Sequence, residues 1–431
     1  MASLSYRSRT QAGALSSRRA FLALGGGNAV EWYDWMVYGL LASYLGPQFF
    51  PSSSSLSSTL SALVVFAVGF AARPLGALVF GTLADRLGRR GIMLLSIGGM
   101  VLSTGVLAVL PTHASIGVWA GVILVVCRIL QGLSTGIEAP LNSAYIVEMA
   151  PEGQTARYGG IISVYVQSGI IAASLVAFLT TTFLSTPAME AWGWRIPFAV
   201  GAVVGALFLW LRRNLPETLH RSSAPGAAPP ASQVWREVGR NKLALLAIIF
   251  VVAGAQALNY TWATGLPNLA RTAYDEDPSA VFAVSTLSGL CIAALYPLAG
   301  RLADRKRISR TFIVTRLAAV PLVFVVLAYR APGMVLFTAV MMIGAPVLAF
   351  TMGLYNTVSA TLMPMSCRVT GVGIGYAVGV AGFGGTAPYI LLWLQDRGVS
   401  WVFPVYVAVL CLLSALFYTL ALRRSSVRVG S

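Results

Sequence analysis

Apolar runs long enough to cross a lipid bilayer recur along almost the whole chain, and nothing constrains its fold more. A spanning helix needs roughly 20 predominantly apolar residues. The runs read as twelve helical spans: 19–46, 57–84, 91–111, 117–147, 157–186, 194–213, 241–271, 279–304, 309–330, 332–361, 368–394 and 400–422. Several exceed the bilayer requirement, so tilt or extension into loops is expected. Composition agrees, with 57% hydrophobic and only 10% charged residues, where a soluble chain carries about 25% charged. The expectation is an all-α integral membrane protein.

The net charge of +16 would suggest nucleic acid in a soluble protein. Here the basic residues sit between the apolar runs, so they report topology and no nucleic-acid partner is expected. With the N-terminus inside, 23 of the 30 Lys and Arg fall on the cytoplasmic side. Four lie at outer ends (Arg195, Arg271, Arg330, Arg397) and three within spans (Arg73, Arg128, Arg316). That asymmetry places both termini in the cytoplasm. Ser17-Arg18-Arg19-Ala20-Phe21-Leu22 resembles a twin-arginine export signal. Instead of reaching a small-residue cleavage site, the run meets Glu31 and Asp34 and continues to Leu45, so it reads as the first span.

Cys127, Cys291, Cys367 and Cys411 are far apart without metal-ligand spacing, and His113 and His220 fall in loops. No metal, no cofactor and no His-based nucleophile is expected. With no nucleophile–base set and no large soluble domain, an enzyme is not expected either.

The longest connection, 214–240, contains SSAPGAAPPAS, a flexible Pro/Ala/Ser segment. It divides the chain into a tail (1–18), a six-helix half (19–213), the linker (214–240), a second six-helix half (241–422) and a tail (423–431). The halves echo each other. Gly81-Thr82-Leu83-Ala84-Asp85-Arg86 recurs as Gly300-Arg301-Leu302-Ala303-Asp304-Arg305, and Trp194-Arg195-Ile196-Pro197 as Trp401-Val402-Phe403-Pro404. A duplicated six-span unit places a binding site between the halves near the membrane midplane.

These residues resemble a known group. Gly81-x-x-x-Asp85-Arg86-x-Gly88-Arg89-Arg90, between spans 2 and 3, is similar to the signature loop of the major facilitator superfamily. Arg128-x-x-Gln131-Gly132 is similar to its second motif. GNAVEWYDWMVYG in span 1, ARPLGALVFG in span 2, WGWRIPF at span 6 and GVGIGYAVGVAGFGGTAP in span 11 resemble one subgroup, the metabolite–proton symporters. That subgroup includes carriers of 2-oxoglutarate, citrate, shikimate, and proline or betaine. The resemblance implies two pseudo-symmetric six-helix halves and an inner (plasma) membrane location. It implies a secondary active transporter that is a monomer with protons, a small carboxylate or zwitterion, and the lipid bilayer as its partners. A facilitator or proton antiporter on the same fold is the alternative.

Three stretches depart from the subgroup. After Asp304-Arg305 comes Lys306-Arg307-Ile308-Ser309-Arg310, without glycine. Gly136-Ile137-Glu138 stands where relatives read Gly-Gly-Glu, and Ala360-Thr361-Leu362-Met363-Pro364 where they read Ala-Glu-Leu-Phe-Pro. The C-terminal tail shows no heptad extension of the kind osmolyte-sensing relatives carry.

The residues also carry a physical reading. Glu31 and Asp34 lie inside an apolar helix, where acids are costly unless used. Glu31 enters about 18 Å along span 1 at the helical rise, and Arg128 lies at a similar depth in span 4. Both acids are therefore expected to face Arg128 and couple to protons; a static buried ion pair is the plain alternative. Glu138, nearer the cytoplasm, is a proton exit or a partner of Arg73 or of the loop cluster. Arg73 is an anion anchor, or a packing group held by a backbone carbonyl or Glu138. Gly81, Asp85, Arg86, Gly88, Arg89 and Arg90, with Asp304 and Arg305, form a candidate gate latch, in which an acid pairs with arginines or meets a helix N-terminus. The second half has no carboxylate within its spans. It offers Gln256, Asn259 and Tyr260 in span 7, Tyr355 and Asn356 in span 10 and Tyr376 in span 11 as neutral substrate contacts. Asn28 and Trp35 join them from span 1.

Overall fold

The computed structural model describes residues 25–136, 154–213, 231–325, 329 and 331–424, giving the backbone alone at 77–93 and a few other positions. Among the described residues, every expected span falls on helix. The first is α1 (25–40), which resumes after a turn at Leu41 as Ala42–Phe49. The first half continues as α2 (Ser55–Gly76), α3 (Leu94–Val109), α4 (Val118–Thr135), α5 (Thr155–Phe183) and α6 (Arg195–Arg213). The second half contains α7 (Lys242–Ala273), α8 (Pro278–Lys306), α9 (Ile308–Val323), α10 (Met334–Leu362), α11 (Thr370–Asp396) and α12 (Val402–Arg424). Among the described residues, eight helices are long and apolar enough to cross a membrane, nine if the bent pair at Thr186–Leu211 is one span.

Local chemistry sets these boundaries. Ser54 caps α2 by accepting from the Ser57 N–H at 3.0 Å. Asp277 caps α8 by accepting from the Ala280 N–H at 2.8 Å, with Pro278 in the first turn. Among the described residues, three helices widen into a π-turn, at Met189–Gly193, Thr261–Gly265 and Val380–Gly384. A proline follows each, at Pro197, Pro267 and Pro388. A missing N–H donor removes one helical bond, and the wider turn absorbs the mismatch.

Spans 2 and 3 were expected as two helices joined by a loop. The backbone is instead helical from Ser55 to Val109, yet its two arms run antiparallel beside α4. Gly69 and Gly76 approach Arg128 and Leu133 in ascending order, whereas Ser96 bonds to Ser134 and Thr104 to Gln131 in descending order. The reversal therefore lies within 77–93. Glycine makes the α2–α4 approach possible: a methyl group at Gly132 would overlap the Gly69 carbonyl. The buried core runs through both halves, from Trp35, Phe66 and Phe70 to Tyr260, Tyr296 and Tyr418.

Candidate functional site

The α1 stripe supplies the centre. Trp35, Met36 and Tyr38 are wholly buried, and Glu31 and Asp34 are 3% and 2% exposed. Glu31 Oε1 lies 3.2 Å from Arg73 Nη2 on α2, while Asp34 Oδ2 lies 4.0 Å from Arg128 Nη1 on α4. The expectation that both acids face Arg128 is corrected. Three residues along a helix turn a side chain by about 300° and raise it about 4.5 Å, enough to give each acid its own arginine. Among the described residues, Arg73 is correspondingly held by Glu31. Glu138 lies outside the described residues.

Trp35 separates the two pairs. Its ring centroid is 4.4 Å from the Arg73 guanidinium carbon and 5.6 Å from that of Arg128, and it stacks on Phe70 at 4.1 Å. Arg128 also lies over Tyr38, 4.0 Å from the ring centroid. Desolvated cation–π contacts of this kind contribute about 2 kcal/mol each, which helps hold two buried guanidiniums.

The pairs have different surroundings. Thr104 on α3 donates its hydroxyl to Asp34 Oδ1 at 2.5 Å, and Gln131 donates to that hydroxyl oxygen at 3.0 Å. Asp34 thus sits wholly among first-half helices. The Glu31–Arg73 pair faces the second half. Trp32 stacks on Tyr260 at 6.0 Å, and Tyr260 meets Phe70 edge-on at 5.1 Å. The Tyr376 hydroxyl is in hydrogen-bonding reach of Arg73 and of Tyr355. Gln256 donates to the Tyr355 hydroxyl at 3.3 Å, Asn259 donates to Gln256 at 3.4 Å, and Asn356 bonds to Tyr355. A polar relay therefore runs from Arg73 to Asn259. Asn28 is buried one turn before Glu31.

Beyond Asn259 lies a cavity of about 20 Å³ lined by Gln167, Asn259, Trp262, Ser285 and Ser288, room for about one water. Tyr296 donates to Gln167 at 3.2 Å. Arg316, fully buried on α9, donates to the Val251 carbonyl at 2.8 Å and neighbours Cys411, away from this lining. Among the described residues no His, Cys, Asp and Glu cluster could hold a metal.

Contacts between the halves close both ends. At one, Asp304 Oδ1 and Oδ2 accept from the Ala156 and Arg157 N–H groups at 3.0 and 2.9 Å. The carboxylate sits on the N-terminus of α5, where backbone donors and the helix dipole favour it. Close approach is possible because Gly300 lacks a Cβ, which would lie 2.6 Å from the Ala156 oxygen. At the other end, Asn268 donates to the Gly39 carbonyl at 2.7 Å and accepts from the Ser43 N–H at 3.2 Å. Arg271 bonds to Ser43 and covers Tyr44, 3.8 Å from the ring centroid. Arg305 lies at the last turn of α8. The side chains of Gly81, Asp85, Arg86, Gly88, Arg89 and Arg90 lie outside those described.

Thr104, Gln131, Phe70 and Gln167 were not among the sequence candidates. Gln131, three residues after Arg128, and Gln167, an amide within an apolar span, carried a readable signal. Thr104 did not, because a threonine in a spanning helix ordinarily bonds its own preceding turn.

Residues 24–387 match the family described as the Major Facilitator Superfamily. The chain is 32% identical over 406 residues to the alpha-ketoglutarate permease of Escherichia coli (strain K12), covering 92% of each. It is 30% identical over 377 residues to the citrate-proton symporter of Klebsiella pneumoniae, covering 86% of this chain and 84% of that one. It is 32% identical to the ectoine/proline transporter ProP of Corynebacterium glutamicum, covering 88% and 79%. The E. coli xylose transporter XylE in a partially occluded, inward-open conformation superposes with a TM-score of 0.73 at 17% identity, over 95% of this chain and 98% of that one.

Proposed function

As the chain belongs to the Major Facilitator Superfamily, a family of membrane transporters, we propose that it is a multi-pass inner-membrane carrier importing a small carboxylate-bearing metabolite with protons. The observation that carries this is the division of the two span-1 acids between two arginines in different surroundings. Asp34 is the proton site. It is held by Arg128 at the outer limit of an ion pair and by one hydroxyl, and Arg128 has no hydrogen-bond partner at Nε, Nη1 or Nη2. Such a pair separates at little cost when the acid takes a proton. Arg73, beside Tyr260 and Tyr376, is the anion anchor, with Glu31 as its resting counter-ion. Glu138 lies on the proton's way out.

Gln256, Asn259, Tyr260, Tyr355, Asn356 and Tyr376, with Asn28 and Trp35, orient the substrate between halves 19–213 and 241–422. The halves rock alternately about this centre, with both termini and the 214–240 linker in the cytoplasm. Asp304 of α8, seated against the α5 N-terminus, closes the inner side, together with Arg305 and the segment containing Gly81, Asp85, Arg86, Gly88, Arg89 and Arg90. Asn268 and Arg271 close the outer side. The carrier works as a monomer.

The test is uptake by purified protein in proteoliposomes under an imposed pH gradient. Accumulation should follow an inward proton gradient. Asp34→Asn should abolish accumulation while substrate exchange across the membrane persists. Uptake indifferent to the gradient would make the protein a facilitator, and uptake opposed by it an antiporter.

A further inference from the structure

Arg73 keeps two of its three nitrogens in reserve. Its Nη2 is paired with Glu31, but Nε and Nη1 have no hydrogen-bond partner, although the side chain is only 3% exposed. A guanidinium presents five N–H donors in a fixed fork and can hold two carboxylates at once. Donors for a second carboxylate therefore remain on Arg73 while Glu31 stays paired.

Charge then limits what else the substrate can carry. In the empty site Glu31 balances Arg73 and Asp34 balances Arg128. A proton on Asp34 leaves one positive charge uncompensated, and one carboxylate on Arg73 restores neutrality. Among the described residues, no further cation borders this site to hold a second carboxylate. The cavity at the far end of the relay is lined by the neutral groups Gln167, Asn259, Trp262, Ser285 and Ser288. Arg316 is bonded to the Val251 carbonyl, outside that lining. A zwitterion would leave the opposite excess. An unpaired charge held in the interior is costly either way.

We infer that the carrier moves one proton with one monovalent carboxylate whose remaining polar groups are neutral donors and acceptors, and that the loaded step is electroneutral. This rests on the symport reading above. Arg73 holds the anionic end, and the amides and hydroxyls around Asn259 and Gln167 take the neutral end.

The experiment uses the full chain in proteoliposomes with an internal pH dye and a potassium diffusion potential set by valinomycin. The probes are lactate, glycerate and quinate as monocarboxylates, malate and citrate as polycarboxylates, and proline and betaine as zwitterions. At a fixed inward pH gradient, an inside-negative potential of about 100 mV should change accumulation of the transported monocarboxylate less than about twofold, where one net charge would be worth about 50-fold. Asn259→Leu should raise the KM for glycerate by about tenfold or more and that for lactate by less than about threefold, the difference reporting loss of a hydrogen bond to the neutral end. Accumulation driven by potential alone, or malate, citrate, proline or betaine accumulated above every monocarboxylate, overturns the inference and leaves proton symport standing. Indifference to the pH gradient overturns the symport reading itself.

Discussion

Glu31 and Asp34 are three positions apart, and their surroundings give them different work. Glu31 is held at 3.2 Å by a cation that borders the second half; Asp34 is held at 4.0 Å inside the first. Removing one partner of a buried pair strands the other, at a cost of about 3–5 kcal/mol. Arg128→Gln should therefore lower the midpoint of thermal unfolding in detergent. Asp34→Asn combined with Arg128→Gln should recover part of that loss, because no charge is left alone; the double-mutant cycle measures the coupling. Glu31→Gln should act differently. Arg73 keeps its position over Trp35 and Phe70, so gradient-driven uptake should persist, with a changed KM for the substrate.

At the scale of helices, close approach and widened turns set where side chains point. Gly132 lets α4 lie against α2, which brings Arg128 beside Trp35. Gly132→Val should destabilise by about 1–3 kcal/mol through overpacking, read as a lower unfolding midpoint. Gly98→Ala is the control: a methyl there meets nothing within 4 Å, and helix propensity favours alanine by about 1 kcal/mol. Helices are the part the sequence shows most clearly, because long apolar runs leave the backbone little choice. Rise per residue brought the span-1 acids and Arg128 to one level, and Asp34 does reach Arg128. Which acid met which arginine was not legible, because azimuth depends on how neighbouring helices rotate and how closely glycines let them approach. That the chain reverses between α2 and α3 was legible in the sequence; that helical hydrogen bonding carries through Ser55–Val109 was not, because GTLADRLGRRG contains three glycines and reads as a connection. Asp304 was expected in a latch whose acid pairs with arginines or meets a helix N-terminus; that the partner is the α5 N-terminus required knowing that Gly300 packs on Ala156.

Across the whole molecule, contacts between the halves bridge both ends of the centre, so transport requires that each bridge open in its turn. The two bridges should be separable by labelling. With the four native cysteines replaced, Ser285→Cys places a thiol on the cavity wall. Adding Asn268→Ala should increase its reaction with an impermeant maleimide applied outside. Adding Asp304→Asn should increase the reaction from inside. Reaction from the same side in both variants would show that the contacts do not act as opposed closures.

The aromatic stack has a consequence for an idle carrier. Trp32, Tyr260, Phe66, Phe70 and Trp35 meet ring to ring across the boundary between the halves, at centroid separations from 4.1 to 6.0 Å. Flat rings in contact leave no room for water between them, and protons hop along water. A membrane crowded with unloaded copies should therefore stay tight to protons. Phe70→Ala breaks the stack beside Arg73 and should raise passive acidification of liposomes in the absence of any solute.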